Sequence, residues 1–291
     1  MPGSPYTDLD RPPLSAARLR RALVAPHGPW TRLELRVETG STNADVAEAA
    51  RAGEPEGLVV VAERQTAGRG RRGRAWQSPA RAGIATSVLL RPGEAVTERG
   101  WPPAPQTGYG WLPLLAGVAL VEAVTRLAEL DARLKWPNDL LVDDAKCAGI
   151  LAEAVPGPSP ARPPAIVLGM GLNVTLRADE LPENPTGLPA TSLQLAGAAA
   201  TDRDPLLRAL LRGIADWYAE WRAAGGDAVA SGLRDAYLAA CATVDRQVRV
   251  LLPGGEELTG TATGVDADGQ LLVTTAGGSR ALAAGDVLHL R

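Results

Sequence analysis

The chain changes texture after Ala242. Beyond it, four short β-prone runs, Gln247–Leu252, Glu257–Val265, Gln270–Thr275 and Asp286–Leu290, are separated by Gly254-Gly255, Asp268-Gly269 and Gly277-Gly278. Such dipeptides accept the positive φ angles that tight hairpins demand. Residues 243–291 are therefore read as a small all-β unit, a barrel. Upstream, residues 31–242 mix the two periods of regular structure. Leu33–Glu38 alternates as a half-buried strand does, and Leu58–Ala62, Gly83–Leu90 and Ala165–Val174 are apolar β runs. Ala44–Arg51, Leu112–Leu130 and the stretch from Asp204-Pro205 to Gly225 read as helices, with Pro113 in a first turn where its missing N–H costs nothing. Residues 1–30 read as a mobile leader, although Ser15–Val24 has a short helical pattern.

Composition narrows the function. Apolar residues make up 45% of the chain and the formal net charge is -3, which suits a folded protein and argues against a general nucleic-acid or membrane coat. No apolar run is judged long enough to cross a bilayer, and the Pro-rich start lacks a secretory h-region. Two cysteines and two histidines leave no ligand set for structural zinc, and no resident metal site is expected. The cysteine usage suits a reducing, cytoplasmic setting.

Charge is unevenly placed. No Asp or Glu lies between Glu63 and Glu94, while Arg64, Arg69, Arg71, Arg72, Arg74, Arg81 and Arg91 do. The loop Gly68-Arg69-Gly70-Arg71-Arg72-Gly73-Arg74 lets backbone N–H groups come close to an anion and surrounds it with guanidinium forks. By itself it also fits a solvated basic loop or an RNA-binding Arg-Gly segment. When empty, the loop is expected to be mobile through self-repulsion. Only two of the 30 basic residues are lysines, Lys135 and Lys146, and they share one stretch: Lys135-Trp136-Pro137-Asn138-Asp139, a rigid turn, then Lys146, with Gly149 leaving room beside it. A third segment, Gly169-Met170-Gly171-Leu172-Asn173-Val174, places strand glycines, a sign of close backbone approach, before an asparagine.

Together, in this order and after Gly40-Ser41-Thr42-Asn43, these segments closely resemble the biotin protein ligases, over about Leu35 to Ala242, and the small β-unit matches that family's C-terminal cap. The resemblance implies an α+β fold: a mixed sheet flanked by helices, related to class II aminoacyl-tRNA synthetases and lipoate ligases, with a C-terminal barrel of the Src-homology-three type. It implies a two-step reaction. Biotin and ATP form biotinyl-5′-AMP and pyrophosphate, and the biotinyl group then passes to a lysine of a biotin carboxyl carrier domain of an acyl-CoA carboxylase. Mg²⁺ is expected to accompany ATP, held largely by phosphates and water.

By the same resemblance, Ser41, Thr42, Asn43, Gln65, Gly68 and Gly149 line the biotin pocket. Arg69, Gly70 and Arg71 close over the carboxylate and α-phosphate, and Lys146 meets both. Arg72, Trp76, Asn138 and Asn173 lie about the adenylate, with Lys146, Arg69, Arg71 and Asn138 as the catalytic set. Asp139 has three readings: a magnesium ligand, a partner for a lysine, or a turn cap. Family members that also repress genes carry an N-terminal DNA-binding domain, for which this leader is too short, so neither DNA nor a membrane is an expected partner. A lipoate ligase is the nearest rival, opposed by the Gly-Arg loop and Lys-Trp-Pro-Asn-Asp. A nucleotidyl-lysine ligase would need an Asp where Ala148 stands.

Overall fold

The computed structural model describes residues 11–157, 159, 162–182 and 188–290. In chain order its elements are α1 (Ala16–Leu23), β1 (Arg32–Arg36), α2 (Thr42–Arg51), β2 (Leu58–Ala62), β3 (Gly83–Leu90), α3 (Trp111–Ala128), β4 (Ala132–Lys135), β5 (Asp139–Val142), β6 (Ala145–Val155), β7 (Ala165–Asn173), α4 (Arg203–Ala223), α5 (Leu233–Ala240), β8 (Gln247–Leu251), β9 (Glu257–Val265), β10 (Leu271–Thr275), β11 (Gly278–Leu282) and β12 (Asp286–His289).

Strands β1 to β7 form one mixed sheet in the order β1-β2-β3-β7-β6-β5-β4, parallel only between β1 and β2. Alternation along β2 separates its two faces. Val59 and Val61 join the large core under α1, α3 and α4, while Leu58 and Val60 join a smaller cluster with Val46 and Ala50 of α2. On the α2 side, Gly169 and Gly171 of β7 and Gly149 of β6, which pairs with Gly171, leave the sheet surface bare. That bare strip becomes the floor of the site.

Two expectations change. The stretch Gln106–Ala128 is, by length and composition, apolar enough to cross a membrane, contrary to the sequence reading. Its apolarity has another cause: Trp111, Leu112, Leu115 and Leu120 are completely buried between the sheet, α4 and α5, and a helix buried nearly all round is apolar nearly all round. The leader also differs from expectation over residues 11–30; residues 1–10 lie outside the described residues. Leu19 and Leu23 of α1 are fully buried, and Arg11 bonds the Glu180 carboxylate and the Thr175 carbonyl. A buried ion pair, Arg203–Glu63 at 2.6 Å, joins this segment to the sheet, since Arg203 also donates to the Pro12 carbonyl and Glu63 accepts from the Leu14 N–H.

The C-terminal unit is a five-stranded antiparallel sheet in the order β11-β10-β9-β8-β12. It docks through its β9–β10 turn. The Trp111 and Trp136 indole N–H groups donate to the Ala267 and Gly269 carbonyls at 2.7 and 3.1 Å. A Cβ at Gly110 would meet the Asp268 carbonyl oxygen at 2.3 Å, so only glycine permits this approach. The Pro156–Pro164 loop falls partly outside the described residues. Pro102, in the Trp101–Gln106 loop, gives its carbonyl to the fully buried Arg222 of α4, whose guanidinium also lies 5.3 Å from the Trp101 ring centroid.

Candidate functional site

A cavity of about 340 Å³ lies on the bare strip, walled by the start of α2, the Arg-Gly loop, β6 and β7. Ser41, Thr42, Asn43, Gln65, Arg69, Gly70, Arg71, Trp76, Asn138, Lys146, Gly149 and Asn173 all line it, so the structure unites residues from segments far apart in sequence. Arg74, Ala75, Gln77, Ile150, Leu151, Met170, Pro182 and Ala190 complete the wall, none of which the sequence reading assigned to the site.

At one end, Ser41 occupies the N-cap position of α2, but its hydroxyl makes no capping bond. The orphan N–H of Thr42 is met instead by Gln65 Oε1 at 2.8 Å. Asn43 lies against Gly169, where an added Cβ would come within 1.9 Å of its Oδ1. All its polar atoms are engaged inside the protein: Oδ1 accepts from Ser87 Oγ at 2.6 Å, and Nδ2 donates to Glu153 Oε2 at 2.6 Å and to the Leu151 carbonyl at 3.3 Å. Trp76 rests on the other two glycines, with ring atoms 2.4 Å from an added Cβ at Gly171 and 3.2 Å from one at Gly149.

At the other end stands Lys146. The β5–β6 pairing slips between Leu140 and Leu141, so Cys147 is left over as a bulge, a local feature that re-aims the side chains beside it. Lys146 Nζ lies 2.5 Å from Asp139 Oδ1 and 5.8 Å from the Trp76 ring centroid. Of the three readings of Asp139, partner to a lysine is the one this geometry realises. The Lys146 backbone is also held, its N–H by the Pro189 carbonyl and its carbonyl by the Thr191 N–H. Asn173 pins the same segment through Nδ2 to the Thr191 carbonyl. Asn138 ties its turn to β6 through Nδ2 to the Ile150 carbonyl, and its Oδ1 accepts from Arg71 Nη1 at 3.2 Å. Burial pulls the Cys147 thiol up to about 12, so it is a packing residue beside the lysine.

The Arg-Gly loop folds into a short tongue. Arg69 bridges Ala75, Gly70 N–H bonds the Arg74 carbonyl, and Trp76 N–H bonds the Gly68 carbonyl. Gly68 supports this fold from outside the cavity: a Cβ there would meet the Trp76 carbonyl oxygen at 2.4 Å. Arg72 also lies outside, contrary to its expected place by the adenylate. It pairs with Asp286 at 2.8 Å and donates to the Leu251 carbonyl, while Arg74 reaches the same carboxylate at 3.1 Å. The C-terminal sheet thus supplies the anion that the loop lacks, and the expected self-repulsion is offset. Arg69 has no side-chain partner among the described residues and stands exposed at the mouth.

Lys135 sits behind this cluster, 9% exposed and outside the cavity wall. Burial lowers its pKa and the neighbouring Lys146 adds to that, opposed by Asp139 and Asp286. Burial likewise lowers that of Arg71, against the pull of Asp286 and Asp139. Cations therefore outnumber carboxylates in a partly dry place, the condition under which a bound polyanion is attracted most strongly.

Residues 39–173 match the biotin/lipoate A/B protein ligase family, and residues 243–290 match the biotin protein ligase C terminal domain. The chain is 40% identical over 291 residues to the biotin–[acetyl-CoA-carboxylase] ligase of Mycobacterium tuberculosis, covering 98% of this chain and 100% of that one. It belongs to the biotin protein ligase family. Another member, the bifunctional ligase/repressor BirA of Escherichia coli, is 36% identical across 75% of this ligase and 61% of its own length. The biotin protein ligase of Aquifex aeolicus, solved with biotin and ATP, superposes with a TM-score of 0.70 at 26% identity, covering 90% of this ligase and 100% of that chain.

Proposed function

We propose that this ligase joins biotin to ATP, giving biotinyl-5′-AMP and pyrophosphate, and then transfers the biotinyl group to a lysine of a biotin carboxyl carrier domain of an acyl-CoA carboxylase. The observation that carries the reading is the shape of the cavity: neutral polar groups at the α2 end, a bare glycine floor, and Arg71 and Lys146 at the far end. A ligand with a hydrogen-bonding head, an aliphatic chain and a terminal carboxylate matches that order.

Biotin's ureido ring lies against Ser41, Thr42 and Gln65, with Asn43 backing them. Its carboxylate reaches Lys146, Arg69 and Arg71. In the first step a carboxylate oxygen attacks the α-phosphorus and pyrophosphate leaves. Two anions must meet, and fixed cations lower the cost of bringing them together. Lys146 follows the charge from carboxylate to phosphoryl oxygen, while Asn138 holds Arg71 in place. Trp76, Asn138 and Asn173 border the adenylate. In the second step the carrier amine attacks the acyl carbon and AMP departs.

Mg²⁺ enters with ATP as part of the substrate. Phosphates and water supply most of its ligands, and Asp139 is paired with Lys146. The free thiols Cys147 and Cys241 suit a cytosolic setting. Neither DNA nor a membrane takes part in this reaction. Incubation with radiolabelled biotin, MgATP and a carrier domain tests the reading. Label on the carrier lysine is expected, and transfer of lipoate in its place would contradict it.

A further inference from the structure

Ser87 of β3 is fully buried and lies outside the cavity wall. Its hydroxyl touches two groups of the cavity's polar end, Asn43 Oδ1 at 2.6 Å and Thr42 Oγ1 at 2.7 Å. The direction of these bonds follows from counting protons. Glu153 and the Leu151 carbonyl can only accept, so the Asn43 edge facing them is its NH₂ and the edge facing Ser87 is its oxygen. Ser87 has one proton, and Asn43 Oδ1 must receive it. Ser87 is then left as an acceptor towards Thr42, so the Thr42 hydroxyl donates inward. Its other inward neighbour, Gln65 Oε1 at 3.1 Å, is also an acceptor and already receives the Thr42 N–H. Either way the Thr42 proton is spent inside the protein, and only oxygen lone pairs face the cavity.

From this chain we infer that Ser87 is a specificity-determining positioning residue: through Asn43 and Glu153 it fixes Thr42 as an obligate acceptor, so that end of the cavity takes a ligand N–H and rejects a ligand offering an acceptor there. The inference rests on the reading that biotin's ureido ring meets Thr42. It explains why Asn43, a cavity residue, has no polar atom free for the ligand. A ring nitrogen bearing hydrogen satisfies Thr42. A ring oxygen in its place sets lone pair against lone pair, and a buried polar mismatch of that kind is disproportionately costly.

Calorimetric titration of the full chain, with no nucleotide, tests the inference. The probes are biotin and two cyclic carbamate analogues, each with a ring oxygen replacing one ureido N–H. The unaltered protein should bind one carbamate about 30-fold more weakly than biotin. Ser87→Ala removes the nearer of the two inward acceptors and leaves only Gln65 Oε1 at 3.1 Å, already taken by the Thr42 N–H, so the Thr42 hydroxyl turns outward more often. Biotin should then bind about tenfold more weakly, and the penalty on that carbamate should shrink about tenfold. A general loss of packing would weaken all three ligands alike and leave their ratios unmoved. Unchanged ratios in a folded Ser87→Ala protein, with the wild-type penalty present, would overturn the role of Ser87 and leave the ureido assignment standing. Equal wild-type affinity for biotin and both carbamates would instead overturn that assignment and this inference with it. If Ser87→Ala does not fold, Ser87→Cys, which keeps a weak donor for Asn43 but offers Thr42 only a poor acceptor, decides: a smaller shift of the same ratio supports the inference and no shift overturns it.

Discussion

Lys146 Nζ sits 2.5 Å from Asp139 Oδ1, across a hairpin in which Cys147 bulges out of register. A lone lysine amine is flexible and costly to order. Here a carboxylate from the adjacent strand aims it into the cavity beside Arg71 and Lys135. Asp139→Asn keeps the shape and removes the charge. The rate of biotin-dependent ATP–pyrophosphate exchange should fall about tenfold, in keeping with loss of a charge-assisted contact of roughly 1.5 kcal/mol. Biotin affinity should change less, and steady-state exchange kinetics with equilibrium binding separate the two.

Asp286 joins the tongue to the C-terminal sheet through Arg72 and Arg74. Asp286→Ala should leave two neighbouring guanidinium groups without their shared anion. The tongue should then open more often, visible as faster tryptic cleavage within Gly68–Arg74 and as biotinyl-AMP escaping to label bystander lysines. Unchanged cleavage would mean that the backbone bonds within the tongue hold it alone.

Gly171 matters for the space it leaves. An alanine methyl group would press on the Trp76 ring. Gly171→Ala should displace Trp76 and weaken adenylate binding about tenfold or more, consistent with overpacking costs of about 1–3 kcal/mol. Trp76 fluorescence during titration with a non-hydrolysable biotinyl-AMP analogue reads both effects.

His289 gives a prediction in pH. Burial, aided by Lys135 and Arg246 and opposed by Asp144, pushes its pKa down to about 4 from an ordinary 6.5. Thr243 Oγ1, which accepts from the Trp136 backbone N–H at 3.0 Å, lies 3.0 Å from His289 Nε2 and holds the ring in this buried place. Between these two values the unfolded chain binds the proton that the folded one refuses. The contribution to stability is complete above pH 6.5 and is lost as pH falls towards 4. Melting temperatures should therefore decline through this window, and decline less in His289→Gln.

The sequence carried most of the frame and part of the site. Leu58–Ala62 and Gly83–Leu90 coincide with β2 and β3, because an apolar run bounded by turn residues is a local signal. The glycines of Gly169–Asn173 marked a close approach, and Asn43 and Trp76 are what approach. Other features were not legible locally. Arg72 looked like its neighbours in the loop, and its partner Asp286 lies 214 residues away. Ser87 is one small polar residue in an apolar strand, and its importance comes from the α2 residues Thr42 and Asn43 that pack on it. Residues 11–30 mix prolines and arginines with a short apolar pattern, and they are fixed by Glu63, Glu180 and Arg203, all supplied from elsewhere.

The central claim is that a mobile point charge at position 146, which a guanidinium fork cannot replace, joins carboxylate to α-phosphate. Biotin-dependent exchange of radiolabelled pyrophosphate into ATP measures that step without the carrier. Lys146→Ala and Lys146→Arg should both lose most of the exchange while retaining the fold, whereas near-normal exchange in either variant would contradict the account.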